Sequence, residues 1–157
     1  MTRNELISAV KETIDICLIH CQRMQFAKDQ LTNSIPLNFE KYSQLSSTEI
    51  SYLDQYLFRF TKLQDTMGSR LFPLLMESLA EPVENMAFID ILNRLEKLEI
   101  LKSKNEWLEM RILRNNATHE YPQTINERIE GLNQLINKLG TVETILDNCQ
   151  QIINSKC

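Results

Sequence analysis

An all-α, up-and-down bundle of about five helices is the fold class predicted by this 157-residue sequence, and three observations carry that prediction. Three glycines and four prolines are few, so turns are scarce and the elements between them are long. Four segments place a Ser or Thr three residues ahead of a Glu, just before an apolar run: Thr2 with Glu5, Ser46 with Glu49, Ser103 with Glu106, and Thr124 with Glu127. Each pairing satisfies amide donors that the first turn of a helix leaves without an intrahelical acceptor. Apolar residues then recur in alternating steps of three and four, the period of a helix with one buried face.

The elements follow in order. The first helix runs from about 3 to 32, with Ile7, Val10, Ile14, Cys17, Cys21, Met24 and Leu31 on one stripe and Lys28 in a slot of it. A loop containing Ile35-Pro36 leads to a second helix from about 47 to the high 70s, its stripe begun by Leu53, Leu57 and Phe60. Pro73 is expected to kink or interrupt that helix, because proline lacks an amide donor and crowds the preceding turn. "AEPVEN" is a loop, and a third helix lies near 86–101. The fourth runs from Ser103 to about His119 and is stopped by Pro122, which also pushes Tyr121 toward extended geometry. The last helix covers about 125–154, with a change of winding or a bend beside Gly140 where the step pattern slips.

With no internal repeat, low-complexity tract or composition break, the chain reads as one helical domain over 1–157. Apolar residues make up 43% and charged residues 24%, an ordinary balance for a soluble globular protein. The opening segment is too polar for a membrane span or a signal peptide, and Cys17, Cys21, Cys149 and Cys157 do not form a secreted disulfide pattern. A cytoplasmic protein without membrane association is expected. A formal net charge of −4 argues against broad, sequence-blind nucleic-acid binding, which depends on phosphate neutralisation, but leaves room for a local basic cleft.

The fourth helix departs from the packing pattern. One of its stripes reads Trp107, Met110, Arg114, Ala117, Tyr121, and another reads Leu108, Ile112, Asn115, His119; both begin apolar and turn polar. Arg114 occupies a core-facing slot, and a buried guanidinium needs an anion, a polar network or a wet cleft. Asn115 and His119 are four apart and share a face. His119 lies roughly 140° round the helix from Arg114, so the two flank one edge. An imidazole in the last turn, neutral or charged near pH 7, suits acid–base chemistry. Arg and His near a helix C-terminus also serve as plain caps on the last carbonyls.

The stretch "RNNATHEY", residues 114–121, resembles the R-x4-H-x-Y signature of HepT-type toxins in the HEPN superfamily, including the polar residue after the arginine. "FRFTKLQDTMGSRLF" (58–72) and "DILNRLEKLEIL" are similar to other helices of the same proteins, and the likeness covers residues 50–122 best. Thr118 stands where many relatives carry alanine. The resemblance implies a HEPN-like bundle forming a two-fold dimer and acting as a metal-independent ribonuclease toxin. It further implies neutralisation by an MNT-type nucleotidyltransferase antitoxin that transfers AMP to Tyr121. In that scheme Arg114 stabilises the phosphorane, His119 is general base or acid, and Asn115 orients the histidine or a phosphate oxygen. Asp65 becomes the acid expected to hold Arg114. A two-fold dimer would bring two motif histidines into one cleft.

Arg59, Lys62 and Arg70 are candidates for a basic lining that contacts RNA; a solvated face, or ion pairs with Asp65 and Glu77, is the plainer account. Cys17, His20 and Cys21 suggest a metal, but both cysteines sit in an apolar seam and further ligands are lacking, so no metal and no cofactor are expected. Gly68 is read as permitting close helix approach. Nothing in the chain matches a nucleotidyltransferase. Two other functions fit the same sequence: a non-catalytic substrate-binding subunit for a separate nucleotidyltransferase, and a helical interaction module.

Overall fold

The computed structural model describes residues 1–118 and 124–156, and these form an all-helical protein with no strand among them. The helices are α1 (Arg3–Gln30), α2 (Phe39–Ser43), α3 (Ser47–Thr66), α4 (Phe72–Ser78), α5 (Phe88–Lys97), α6 (Lys104–Thr118), α7 (Ile125–Ile136) and α8 (Leu139–Asn154), with a π-helical turn, Met67–Leu71, joining α3 to α4. The amphipathic pattern is what assembles them. Helix α1 buries Ile7, Val10, Ile14, Cys17, Cys21 and Met24, with Ala27 rather than Lys28 filling the next core slot. It packs mainly along α3 and also against α4 and α8, while α6 lies between α3, α5 and α7.

The start signals act as the sequence reads. Thr2 with Glu5 and Ser46 with Glu49 are complete reciprocal boxes, and the Thr124 side chain accepts from the Glu127 amide. At α6 the arrangement differs. The Ser103 hydroxyl accepts from Asn105 N–H at 3.1 Å, and Glu96 of α5 reaches across to accept from Lys104 N–H at 2.7 Å. That start is therefore capped partly by its neighbour. Glu49 also accepts from the Ser34 hydroxyl, tying the 31–46 connection to α3, and these hydrogen bonds hold its carboxyl below the ordinary carboxylate range.

The 31–46 connection differs from the sequence expectation, and the irregularities expected at Pro73 and beside Gly140 take definite forms. The second helix is interrupted just before Pro73, as expected, and the interruption is a widened turn: α3 ends at Thr66, and α4 starts at Phe72 after the π-helical residues Met67–Leu71. Phe72 N–H reaches back five residues to the Met67 carbonyl, and the loosened turn accepts a proline that cannot donate. The 31–46 connection contains the short helix α2, capped by Asn38, and Asn133 of α7 clasps this connection through both Leu37 N–H (2.8 Å) and Leu37 C=O (2.9 Å). The last helix is two helices, broken at Asn137–Lys138 just before Gly140. Ile136 and Ile145 are both buried, yet nine residues of one straight helix would set them roughly 180° apart. The break returns both to the core, and the buried Tyr56 hydroxyl donates to the Leu135 and Ile136 carbonyls at 2.6 and 3.1 Å.

No helix among the described residues is long and apolar enough to cross a membrane.

Candidate functional site

The first half of α6 packs and the second half presents charge. Trp107 is buried against Phe72 with ring centroids 4.8 Å apart, anchoring the helix on the core. Arg111 and Arg114 follow at four- and seven-residue spacing on the same side, so the anchor aims them along one line. Opposite stand Gln64 and Asp65 from α3, and Gly68 and Ser69 from the π turn, with Phe88 of α5 closing the side. Together they line a cavity of about 350 Å³.

Arg114 occupies its core-facing slot with only 15% of its side chain exposed, and it is paired. Its Nη1 donates to Asp65 Oδ1, while Nε and Nη2 both donate to Asn115 Oδ1 at 3.2 and 2.9 Å. Three of the five N–H donors of the guanidinium are thereby engaged, which fixes the plane of the group and leaves donors for an anion. Asn115 commits its oxygen to Arg114, and only its amide N–H2 is of the kind that could donate to a phosphate oxygen. Thr118 turns inward on its own helix, donating to the Arg114 carbonyl at 2.9 Å. His119 and Tyr121, the expected acid–base group and modification site, lie outside the described residues.

The three basic residues expected on the second helix do not line this cavity. Arg59 donates from Nη1 to His20 Nδ1 at 3.2 Å, and both Arg59 and Lys62 approach the exposed Phe58 ring, at 5.8 and 5.7 Å from its centroid. They form a separate cluster on the α1–α3 side. Arg70 is exposed, and its charge is felt by the Cys17 thiol. The cation at the cavity that the pattern did not single out is Arg111, whose guanidinium sits 5.5 Å from the centroid of the Phe88 ring.

A second residue was also missed. Gln64 is 4% exposed, and neither end of its amide has a hydrogen-bond partner among the described residues; the same holds for the indole N–H of Trp107. Both residues line the cavity. The signal for Gln64 was present in the sequence. It continues the stripe Leu53, Leu57, Phe60 at the next four-residue step, so it is a polar residue in an apolar register, as Arg114 is. Gly68 is not sterically compelled: a Cβ there would meet Phe88 and Trp107 at 3.5 Å, an ordinary contact.

Burial raises the thiols of Cys17, Cys21 and Cys149 to about 12, so they are inert core residues at neutral pH. Among the described residues no group of three or more His, Cys, Asp or Glu is placed to hold a metal ion. No protein-family model, curated protein or solved structure matches the chain. The functional reading accordingly rests on the residues themselves and on their setting.

Proposed function

We propose that the chain is a HepT-like ribonuclease of the HEPN type, acting as a two-fold homodimer and held in check by a nucleotidyltransferase antitoxin that modifies Tyr121. The observation that carries this reading is the state of Arg114, the arginine of the R-x4-H-x-Y motif. It is a cation held in a fixed plane by Asp65 and Asn115 at the edge of a cavity, with donors left over. Donors that are oriented before the reaction, and need no rearrangement during it, are what stabilise developing charge on a phosphorane.

In the proposed reaction the substrate 2′-hydroxyl loses its proton to His119 of one protomer. The 2′-oxygen attacks the adjacent phosphorus, forming a new P–O bond. Arg114 compensates the charge that builds on the non-bridging oxygens. The P–O5′ bond breaks, and the leaving oxygen takes a proton from the second protomer's copy of the same histidine. The products are a 2′,3′-cyclic phosphate and a free 5′-hydroxyl, and no metal or cofactor takes part. AMP on Tyr121, two residues beyond His119, would add bulk and negative charge beside this site and oppose the binding of RNA phosphate.

The test is growth and total RNA after induced expression in a bacterial host, with wild type beside Arg114→Ala and His119→Ala. Toxicity and RNA cleavage that both substitutions abolish are the expected outcome. A soluble wild-type protein that leaves growth and RNA untouched would remove the ribonuclease reading and favour a non-catalytic subunit serving a separate nucleotidyltransferase.

A further inference from the structure

The cavity between α3 and α6 holds features that phosphate chemistry alone does not use. An arginine pair and a histidine would suffice for an anion, and they need no buried amide. Gln64 nevertheless sits in the apolar register of α3, 4% exposed, with its carbonyl and its amine both unpaired among the described residues. Buried polar groups are almost always hydrogen-bonded, and one that is not calls for an explanation, such as strain, a catalytic role, or a water, ion or ligand that completes it. A primary amide sets an acceptor beside a donor in one plane. That is the pattern complementary to the edge of a nucleobase, as in the two-bond pairing of glutamine with adenine. The Trp107 indole adds a second unpaired donor on the opposite wall.

The remaining lining agrees. Trp107 and Phe88 supply aromatic surface, and sequence-tolerant stacking on such rings is how proteins hold single nucleotides. Arg111 and Arg114 lie along the same wall and supply positive charge for the phosphate. About 350 Å³ is at the small end of ligand cavities, room for one nucleotide unit rather than two.

We infer that this cavity is a nucleotide pocket in which Arg111 and Arg114 face the phosphate and Gln64 and Trp107, whose polar atoms are shielded from solvent as they stand, turn to hydrogen-bond the base. The inference rests on the ribonuclease reading only for what the nucleotide belongs to, a unit of the RNA strand beside the scissile bond. The same chemistry would accept a free nucleoside monophosphate.

Calorimetric titration of the purified full chain separates these cases. The probes are AMP, GMP, CMP and UMP, ribose 5-phosphate as the base-free control, and 2′-O-methyl RNA tetranucleotides, which present bases and phosphates but cannot be cleaved. At least one mononucleotide is expected to bind tenfold or more tightly than ribose 5-phosphate. Gln64→Met should abolish that preference while raising the Tm by roughly 2–4 °C, because an apolar chain of similar length removes an unpaired buried amide. Arg111→Ala should weaken mononucleotides and ribose 5-phosphate by the same factor. Tetranucleotides that bind more tightly than any mononucleotide, with the same dependence on Gln64, identify the RNA strand as the source; the reverse order identifies a free nucleotide. Equal affinity for nucleotide and ribose 5-phosphate overturns the proposal, as does a base preference that survives Gln64→Met, or a Tm lowered by that substitution. Base-dependent binding by a protein that cleaves no RNA would leave the pocket standing and remove the ribonuclease. Cleavage without base-dependent binding would do the opposite.

Discussion

Arg114 and His20 show how differently one chain treats two of its ionisable side chains. Arg114 is mostly shielded, but its acidic partner Asp65 has 59% of its side chain exposed, so the pair borders water and is not a sealed ion pair. Such a pair contributes at most about 1 kcal/mol to stability, and its value lies in orientation. His20 is the opposite case. Burial, and then the charges of Arg59 and Lys62, push its imidazole below the ordinary value of 6.5, and its Nδ1 accepts the bond that Arg59 donates. A histidine whose pKa is lowered by folding takes up its proton first in the unfolded chain. Its contribution to stability is therefore complete above pH 6.5 and is lost as the pH falls below that value toward the folded pKa. Urea midpoints measured from pH 7.5 to 5 in a His119→Ala background should fall over that window. His20→Gln should flatten the fall, and an unchanged slope in that variant would contradict the assignment.

At the scale of elements, the helix ends hold the accessible stability. Ala80 and Glu99 take the left-handed conformation just past α4 and α5, at φ 60° and 61°. Each closes a Schellman motif: Glu81 N–H and Ala80 N–H return to Met76 and Glu77, and Ile100 N–H and Glu99 N–H return to Leu95 and Glu96. Glycine holds that conformation without a Cβ penalty, so Glu99→Gly at its exposed site should stabilise by about 0.5–1 kcal/mol in urea denaturation, part of the gain being offset by the freer unfolded chain. Tyr56→Phe should do the reverse. It strips the donor from the Leu135 and Ile136 carbonyls at the α7–α8 break and should cost about 1–3 kcal/mol, with RNA cleavage per folded molecule unchanged. Elements also mark where the sequence stops being legible. Helix starts at Thr2, Ser46 and Thr124 are local chemistry, written within four residues, and they are where the pattern puts them. The α7–α8 break is announced by the slip in the apolar steps beside Gly140, though the tyrosine about eighty residues earlier that bonds its carbonyls is not; α2 is a five-residue helix that buries nothing, so no local period announces it. The site divides in the same way. Arg114 and Gln64 violate an apolar register that can be counted in the sequence. Arg111 violates nothing, and its setting beside the Phe88 ring of another helix is not written in any local pattern.

For the whole molecule, charge decides how the proposed RNA substrate could be gathered. Seventeen Lys and Arg against twenty-one Asp and Glu leave a formal net charge of −4, so there is no broad positive field to draw in a polyanion. The cations of the second helix do not reinforce the cavity either, since Arg59 and Lys62 are engaged around His20 and Phe58 on another side. On the proposed ribonuclease reading, RNA is then bound locally, through Arg111 and Arg114. Single-stranded nucleic acid releases about 0.7 counterion per neutralised phosphate, so two contacts give a slope of log affinity against log salt of about −1.4 per site. Fluorescence anisotropy of a 2′-O-methyl oligonucleotide between 50 and 300 mM salt would read it, and Arg111→Ala should reduce the magnitude of the slope to about 0.7. A slope several times steeper would mean that a wider basic surface, absent from this cavity, carries the RNA. A shallow slope that Arg111→Ala leaves unchanged would take Arg111 out of the interface. The shallow slope that halves is the signature of a protein that selects RNA at one built pocket instead of attracting it from a distance.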